Sequence, residues 1–232
     1  MTSMNLVPRI LLAALALAPL FFLGDFYQHF YAYLTGNVIT RIITEQWHIV
    51  ILNILLFSAF LIPLSFRRKA KWTEYGLVTA FFVSLFIEMY GIPLTIIFAS
   101  KYFYTLGESA PPHVVEFDLF GVGFGMDAAM AYGAVLMTIG AALIMAGWIT
   151  LYVNVKKNNF VTSGVYAYSR HPQYLGFILI ILGWFVGWPT LISLVFVPIL
   201  IYKYIRVCVI EEKEIGHTTE YRTYKKSVPF FV

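Results

Sequence analysis

The sequence is short of charge. Of its 232 residues only 12% are Asp, Glu, Lys or Arg, while 60% are hydrophobic. A water-soluble domain carries about twice that share of charge and a smaller apolar share, so the expected solvent is a bilayer. There is one cysteine, Cys208, which excludes an intrachain disulfide framework. The 5 histidines are scattered, with no pair four residues apart, so nothing supports a metal site. Also missing are a repeat of 20–50 residues, a low-complexity tract, and any polar stretch long enough for a soluble domain.

What is present is a series of long apolar runs. Spans are expected at about Ile10–Leu23, Trp47–Phe66, Tyr75–Ser100 and Ala128–Val153. A further apolar stretch, Pro172–Ile205, contains "GWPT" (Gly187–Thr190), which reads as the bend of a helical hairpin because Pro189 suits a first helical turn. Both hairpin arms look short for a full crossing, which implies tilt or shielding by neighbours. The fold class is therefore all-α: a polytopic membrane helix bundle of about five to six spans, the last two a hairpin, with a polar C-terminal helix. The chain divides into N-terminal membrane helices (1–127), an accessory or acceptor-side region, and a core at 128–232.

Lys and Arg set the orientation. Alternating the spans puts 14 of the 16 on one side, including Arg67, Arg68, Lys69, Lys156, Arg170 and Lys225, and leaves only Arg41 and Lys101 on the other. The basic side and both termini are read as cytoplasmic. The formal net charge of +4 is then topogenic and calls for no nucleic acid. Arg9 followed by an apolar run and "ALA" (Ala16–Ala18) imitates a signal peptide, but Pro19 disfavours cleavage, so an uncleaved first span is expected.

The chemistry concentrates in three stretches. In "SGVYAYSRHPQYLGF" (Ser163–Phe177), Gly164 permits a turn and Pro172 opens the next helix. Arg170 and His171 fall just outside that helix N-terminus, an arrangement suited to an anion but also to interfacial anchoring. "RVCVIEEKEI" (Arg206–Ile215) brings an acidic pair, Glu211 and Glu212, directly after the last apolar arm. The two point about 100° apart on a helix, so at most one is expected to enter a given pocket; a solvated face is the plainer reading. "EYRTYKKSVPFF" (Glu220–Phe231) places Tyr221 and Tyr224 at helical spacing before a basic pair. Glu88, inside a span, is costly there and a candidate for function or for a structural hydrogen bond. Pro93 beside it would kink that span and open a lateral gap. "GVGFG" (Gly121–Gly125) lacks the spacing and the preceding strand of a dinucleotide loop, and "GWFVG" (Gly183–Gly187) is a small-residue packing face.

The order Gly164, Tyr166, Arg170-His171-Pro172, Tyr174, Gly176, hairpin, Arg206, Glu211-Glu212, Tyr221, Tyr224, Val228-Pro229 resembles the integral-membrane methyltransferases typified by isoprenylcysteine carboxyl methyltransferase, with the phospholipid N-methyltransferases as relatives. The resemblance runs over roughly residues 154–229. One departure is "KEIGHTTEY", shorter than usual and without the family's Phe-Gly, with Gly216 the only equivalent. The resemblance implies S-adenosylmethionine as methyl donor. It implies Gly164, Val165, Tyr166, His171, Pro172, Tyr174, Leu175 and Glu212 as cofactor-binding residues, and Arg170, Arg206 and Glu211 as candidates toward the acceptor; Glu88, outside the resemblance, joins these candidates because a carboxylate inside a span is costly. That acceptor would be a lipophilic or small carboxylate, amine or thiol at the cytoplasmic interface, next to membrane lipid. An NADPH-dependent sterol or lipid reductase, and a non-catalytic transporter or scaffold, are the competing readings.

Overall fold

The computed structural model describes residues 6–34, 112–119, 122–154 and 161–231. The expected spans Trp47–Phe66 and Tyr75–Ser100, and with them Glu88, lie outside the described residues.

The described chain begins with α1 (Leu6–Leu17), a 3-10 turn (Ala18–Phe22) and α2 (Leu23–Leu34). Together they form one 29-residue apolar run long enough to cross a membrane. Pro19 lies in the first turn of the 3-10 segment, where it removes one backbone donor without ending the helix. The sequence reading stopped this span at Leu23 and made Gly24–Gln46 extramembrane; the helix instead continues to Leu34. Its continuation has a cause in the pattern His29, Ala32, Tyr33: all three are buried, at the i, i+3, i+4 spacing of one helix face.

A β-hairpin follows, β1 (Val115–Leu119) paired antiparallel with β2 (Val122–Met126), Phe117 opposite Phe124 and Asp118 opposite Gly123. It corrects the expectation that no strand precedes "GVGFG", and that glycine-rich stretch is itself largely strand.

Three long helices complete the described chain: α3 (Ala128–Asn154), α4 (Pro172–Gly187) and α5 (Leu191–Ile215), followed by a short α6 (Thr219–Ser227). By contacts the chain forms two compact units. One comprises residues 1–23, 129–187 and 201–232; the other comprises 24–128 and 188–200.

In the first unit α3 and α4 run antiparallel in near backbone contact. Glycines seven residues apart, thus on one helix face, meet in pairs: Gly133 against Gly183 and Gly140 against Gly176. A Cβ built on Gly176 would stand 2.5 Å from the Gly140 carbonyl oxygen, and one on Gly140 the same distance from that of Gly176. One heptad further, the side chain of Gln173 fills the space beside Gly147. Apolar helices gain no hydrophobic energy from leaving lipid for each other, so close van der Waals approach is what holds such a pair. Leu136, Leu175 and Leu179 fill the seam, with Leu15, Tyr132 and Leu143 packed around them. The Tyr132 hydroxyl donates to the Leu15 carbonyl at 2.9 Å, tying α1 to the pair.

Helix α4 has 16 residues, about 24 Å at 1.5 Å per residue, against about 30 Å of hydrocarbon. It is buried on nearly every side, which agrees with a short arm shielded by neighbours. The second arm was expected to be short too and is not. Its apolar pattern fades after Ile205, but the helix, which also tolerates Pro198, runs 25 residues to Ile215, because no Gly or Pro lies between Ile205 and Gly216. The bend also differs in detail. Pro189 precedes α5, and Thr190 and Ser193 close its first turn. The Thr190 N–H donates to Ser193 Oγ at 2.8 Å and the Ser193 N–H to Thr190 Oγ1 at 3.1 Å, a reciprocal cap.

Candidate functional site

The site is built where α4 begins, entirely within the first unit. Gly164 has φ of 62°, a left-handed conformation that favours glycine, and a Cβ there would stand 2.9 Å from Thr150 Oγ1. The chain then makes a 3-10 turn, Gly164–Ala167, in which the Val165 carbonyl accepts from the N–H groups of Tyr168 and Ser169. Ser169 Oγ accepts from the His171 N–H at 3.3 Å. Pro172 opens α4 at the position its ring prefers, and the first intrahelical bond is Leu175 N–H to the His171 carbonyl at 3.0 Å. The amides of the first turn therefore stand at the positive end of the helix dipole.

From α5 the acidic pair arrives. Glu212 is 8% exposed and holds three cationic or potentially cationic groups. Its Oε1 lies 2.5 Å from Arg170 Nη1 and 3.1 Å from His171 Nε2, and its Oε2 accepts from Lys225 Nζ at 2.8 Å. Glu211 takes the Tyr174 hydroxyl as a donor. Both carboxylates thus reach the start of α4, where one had been expected. Tyr174 is three residues beyond His171, nearly one turn along α4, so carboxylates about 100° apart on α5 meet different residues of the same helix. Tyr204, Cys208 and Glu211–Glu212 recur at i, i+4, i+7 and i+8 and form the face that α5 turns to α4. Tyr204 stacks on Phe177 with ring centroids 5.5 Å apart.

The C-terminal segment closes the other side. The Tyr224 hydroxyl donates to the Tyr166 carbonyl at 2.6 Å, and the Arg170 N–H donates to the Pro229 carbonyl at 3.1 Å. The Arg170 guanidinium lies 5.4 Å from the Phe230 ring centroid, within cation–π range, and the His171 ring is 4.9 Å from the same ring. Tyr221 and Tyr224 are buried with Val228, and burial pushes both phenols above their ordinary range.

Burial also lowers the pKa of His171, against the opposing pull of Glu212. With its folded pKa below the unfolded value, the native state binds fewer protons in acid. The stability this group contributes is complete above the ordinary histidine pKa of about 6.5 and is lost as pH falls through it. The melting temperature is therefore expected to decline as pH drops below about 6.5, and His171→Gln to flatten that decline; a pH series of melting curves on both proteins checks it.

Of the residues singled out in the sequence, Gly164, Val165, Tyr166, Arg170, His171, Pro172, Tyr174, Leu175, Glu211 and Glu212 come together here. Arg206 does not: it is exposed on α5, six residues before Glu212 and about 240° round the helix from it. Five contributors had not been proposed as site residues: Lys225, Phe230, Ser169, Tyr204 and Tyr224. Lys225 follows Tyr221 by four positions, which places the two on one face of α6, and that was the available signal. Among the described residues no cluster of His, Cys, Asp or Glu could hold a metal ion.

The cluster is charged and largely withdrawn from water. Arg170 Nε is buried and has no hydrogen-bond acceptor among the described residues, although Nη1 is paired. A buried guanidinium donor left over beside first-turn helix amides suits an anionic group. The carboxylates suit an ammonium or hydroxyl donor, and Phe230 and Tyr174 offer aromatic faces.

Residues 128–216 match the model of the Isoprenylcysteine carboxyl methyltransferase (ICMT) family. The match takes in α3, α4 and α5 and ends at Gly216, where the sequence departs from the family's usual length. No curated protein and no solved structure matches the chain. The matched stretch bears out the resemblance read from the motif order, and it lies within a chain whose described helices include three long and apolar enough to cross a bilayer.

Proposed function

We propose that the chain is an S-adenosylmethionine-dependent methyltransferase acting on a lipophilic or small acceptor, a carboxylate, amine or thiol, at the cytoplasmic face of a membrane, with residues 128–232 as its catalytic core. The observation that carries this reading is the buried Arg170–His171–Glu212 cluster at the start of α4, with its unused Arg170 Nε.

The residues fit the donor. Arg170 Nε and the first-turn amides of α4 would hold its carboxylate. Glu212 and Glu211 would accept from its ammonium or ribose hydroxyls, and Tyr174 or Phe230 would lie against its sulfonium or adenine. When bound, the donor supplies an electrophilic methyl group. The protein's share is alignment and exclusion of water. Glu212, neutralised by Arg170 and Lys225, keeps the cluster rigid; His171, held neutral by burial, adds no positive charge near a sulfonium. A carboxylate acceptor is already ionised at neutral pH and needs no base, whereas Glu211 is the nearest candidate base for an amine or thiol. On the acceptor side, Arg206 remains a proposal from the sequence resemblance alone, and Glu88 one from the cost of a carboxylate inside a span.

Thermal stabilisation of the purified protein decides between donors. S-adenosylhomocysteine is expected to raise the melting temperature and NADPH to leave it unchanged, with His171→Ala and Glu212→Ala removing the response. Stabilisation by NADPH alone would favour a reductase, and an unaltered response in both variants would dismiss this site. A radiolabelled-methyl screen over prenylcysteine, phospholipid, thiol and amine acceptors then identifies the substrate.

A further inference from the structure

His29 on α2 and Asp127, just before α3, are 98 residues apart in sequence and belong to the second unit, outside the cluster described above. Their exposures are 0% and 3%, so both are withdrawn from solvent. His29 Nδ1 donates to Asp127 Oδ2 at 2.7 Å. In the neutral ring that bond places the proton on Nδ1 and leaves the lone pair on Nε2. Nε2 is buried and has no hydrogen-bond partner among the described residues. The ring leans on Tyr33, centroids 4.6 Å apart, and meets Phe30 edge-on at 5.8 Å.

A carboxylate-oriented imidazole with a buried, unused lone pair is costly unless something donates to it. A metal ion would want further ligands, and no such group exists among the described residues. A charged donor would pay desolvation at a place where the nearest anion among the described residues, Asp127, already faces the other ring nitrogen. A neutral donor on an apolar body, entering among aromatic rings, meets neither obstacle. We propose that His29 and Asp127 form a second ligand site, which takes a neutral lipophilic alcohol, phenol or thiol through a hydrogen bond donated to His29 Nε2. The site is independent of the methyl-transfer reading.

The test uses the full chain with isotope-labelled histidine and two probes of matched shape, para-tert-butylphenol and its methyl ether, which lacks the donor. The phenol is expected to bind about tenfold more tightly than the ether, the worth of one buried hydrogen bond, and to move the His29 Nε2 resonance while the ether does not. In Asp127→Asn the side-chain amide donates to Nδ1, the ring proton moves to Nε2, and the preference for the phenol is lost. Equal binding of the two probes, or an Nε2 signal indifferent to the phenol, overturns the proposal. Should Asp127→Asn fail to fold, the comparison of probes on the unaltered protein still decides.

Discussion

Glu212→Gln lowers the stability of the protein by about 3 kcal/mol, as expected when one partner of a buried ion pair is removed and the other charge stays behind. The size scaling for a chain of this length translates that into roughly 6–12 °C of melting temperature. The reason lies in the inventory around the carboxylate. Arg170 is 9% exposed and cannot recover its hydration by a small movement, whereas Lys225 is 52% exposed and can turn to water. The loss therefore falls on Arg170, and Lys225→Met should cost under about 1 kcal/mol, in the range of exposed pairs. The double variant Arg170→Met with Glu212→Leu should regain most of the stability while losing S-adenosylhomocysteine binding, because apolar replacements of a buried pair are often tolerated. Melting curves and ligand-induced shifts on the four proteins test this. If the double variant were as unstable as Glu212→Gln, an unpaired Arg170 would not be the cause.

Gly176→Ala is the second large effect, and its sign runs against helix propensity. In an open helix the change would stabilise by up to about 1 kcal/mol. Here the new methyl would meet the Gly140 carbonyl oxygen at 2.5 Å. The obstacle is backbone and cannot swing aside, so α3 and α4 must separate and lose contact along the whole seam. Overpacking of this kind costs about 1–3 kcal/mol, and Gly176→Val should cost more still, to the point of lost expression. Gly187→Ala is the control, since its Cβ would lie 3.8 Å from Met130 Cα, ordinary contact, and should change stability by less than about 0.5 kcal/mol. Equal losses at Gly176 and Gly187 would refute the account of the seam.

The two effects differ in how far the sequence announced them. The bilayer as solvent, the span beginning at Ala128 and the helix start at Pro172 followed from composition, apolar run length and proline chemistry, all local properties. The meeting of Glu212 with Arg170 and His171 came from motif order; no periodicity specifies a contact across 41 positions. Pattern reading lost elements at their ends. The first span was stopped at Leu23 because Gly24 and Asp25 look like punctuation, yet the buried face of α2 carries the helix on. The second hairpin arm was stopped at Ile205 because charge entered, although Arg, Glu and Lys are good helix formers. The β-hairpin at Val115–Met126 was missed because its glycines weaken any strand signal. Lys225 escaped because a basic pair on a polar helix is normally solvated, and only the fold of the last dozen residues turns one of the two toward Glu212.

The bond from the Arg170 N–H to the Pro229 carbonyl supplies a gauge. That proton is covered by the closing stretch of chain and by no helix of its own, so its swap for deuterium counts how often the stretch lifts away. Timed with and without a bound nucleoside, a single amide would tell whether the stretch opens before the guest departs or only along with it.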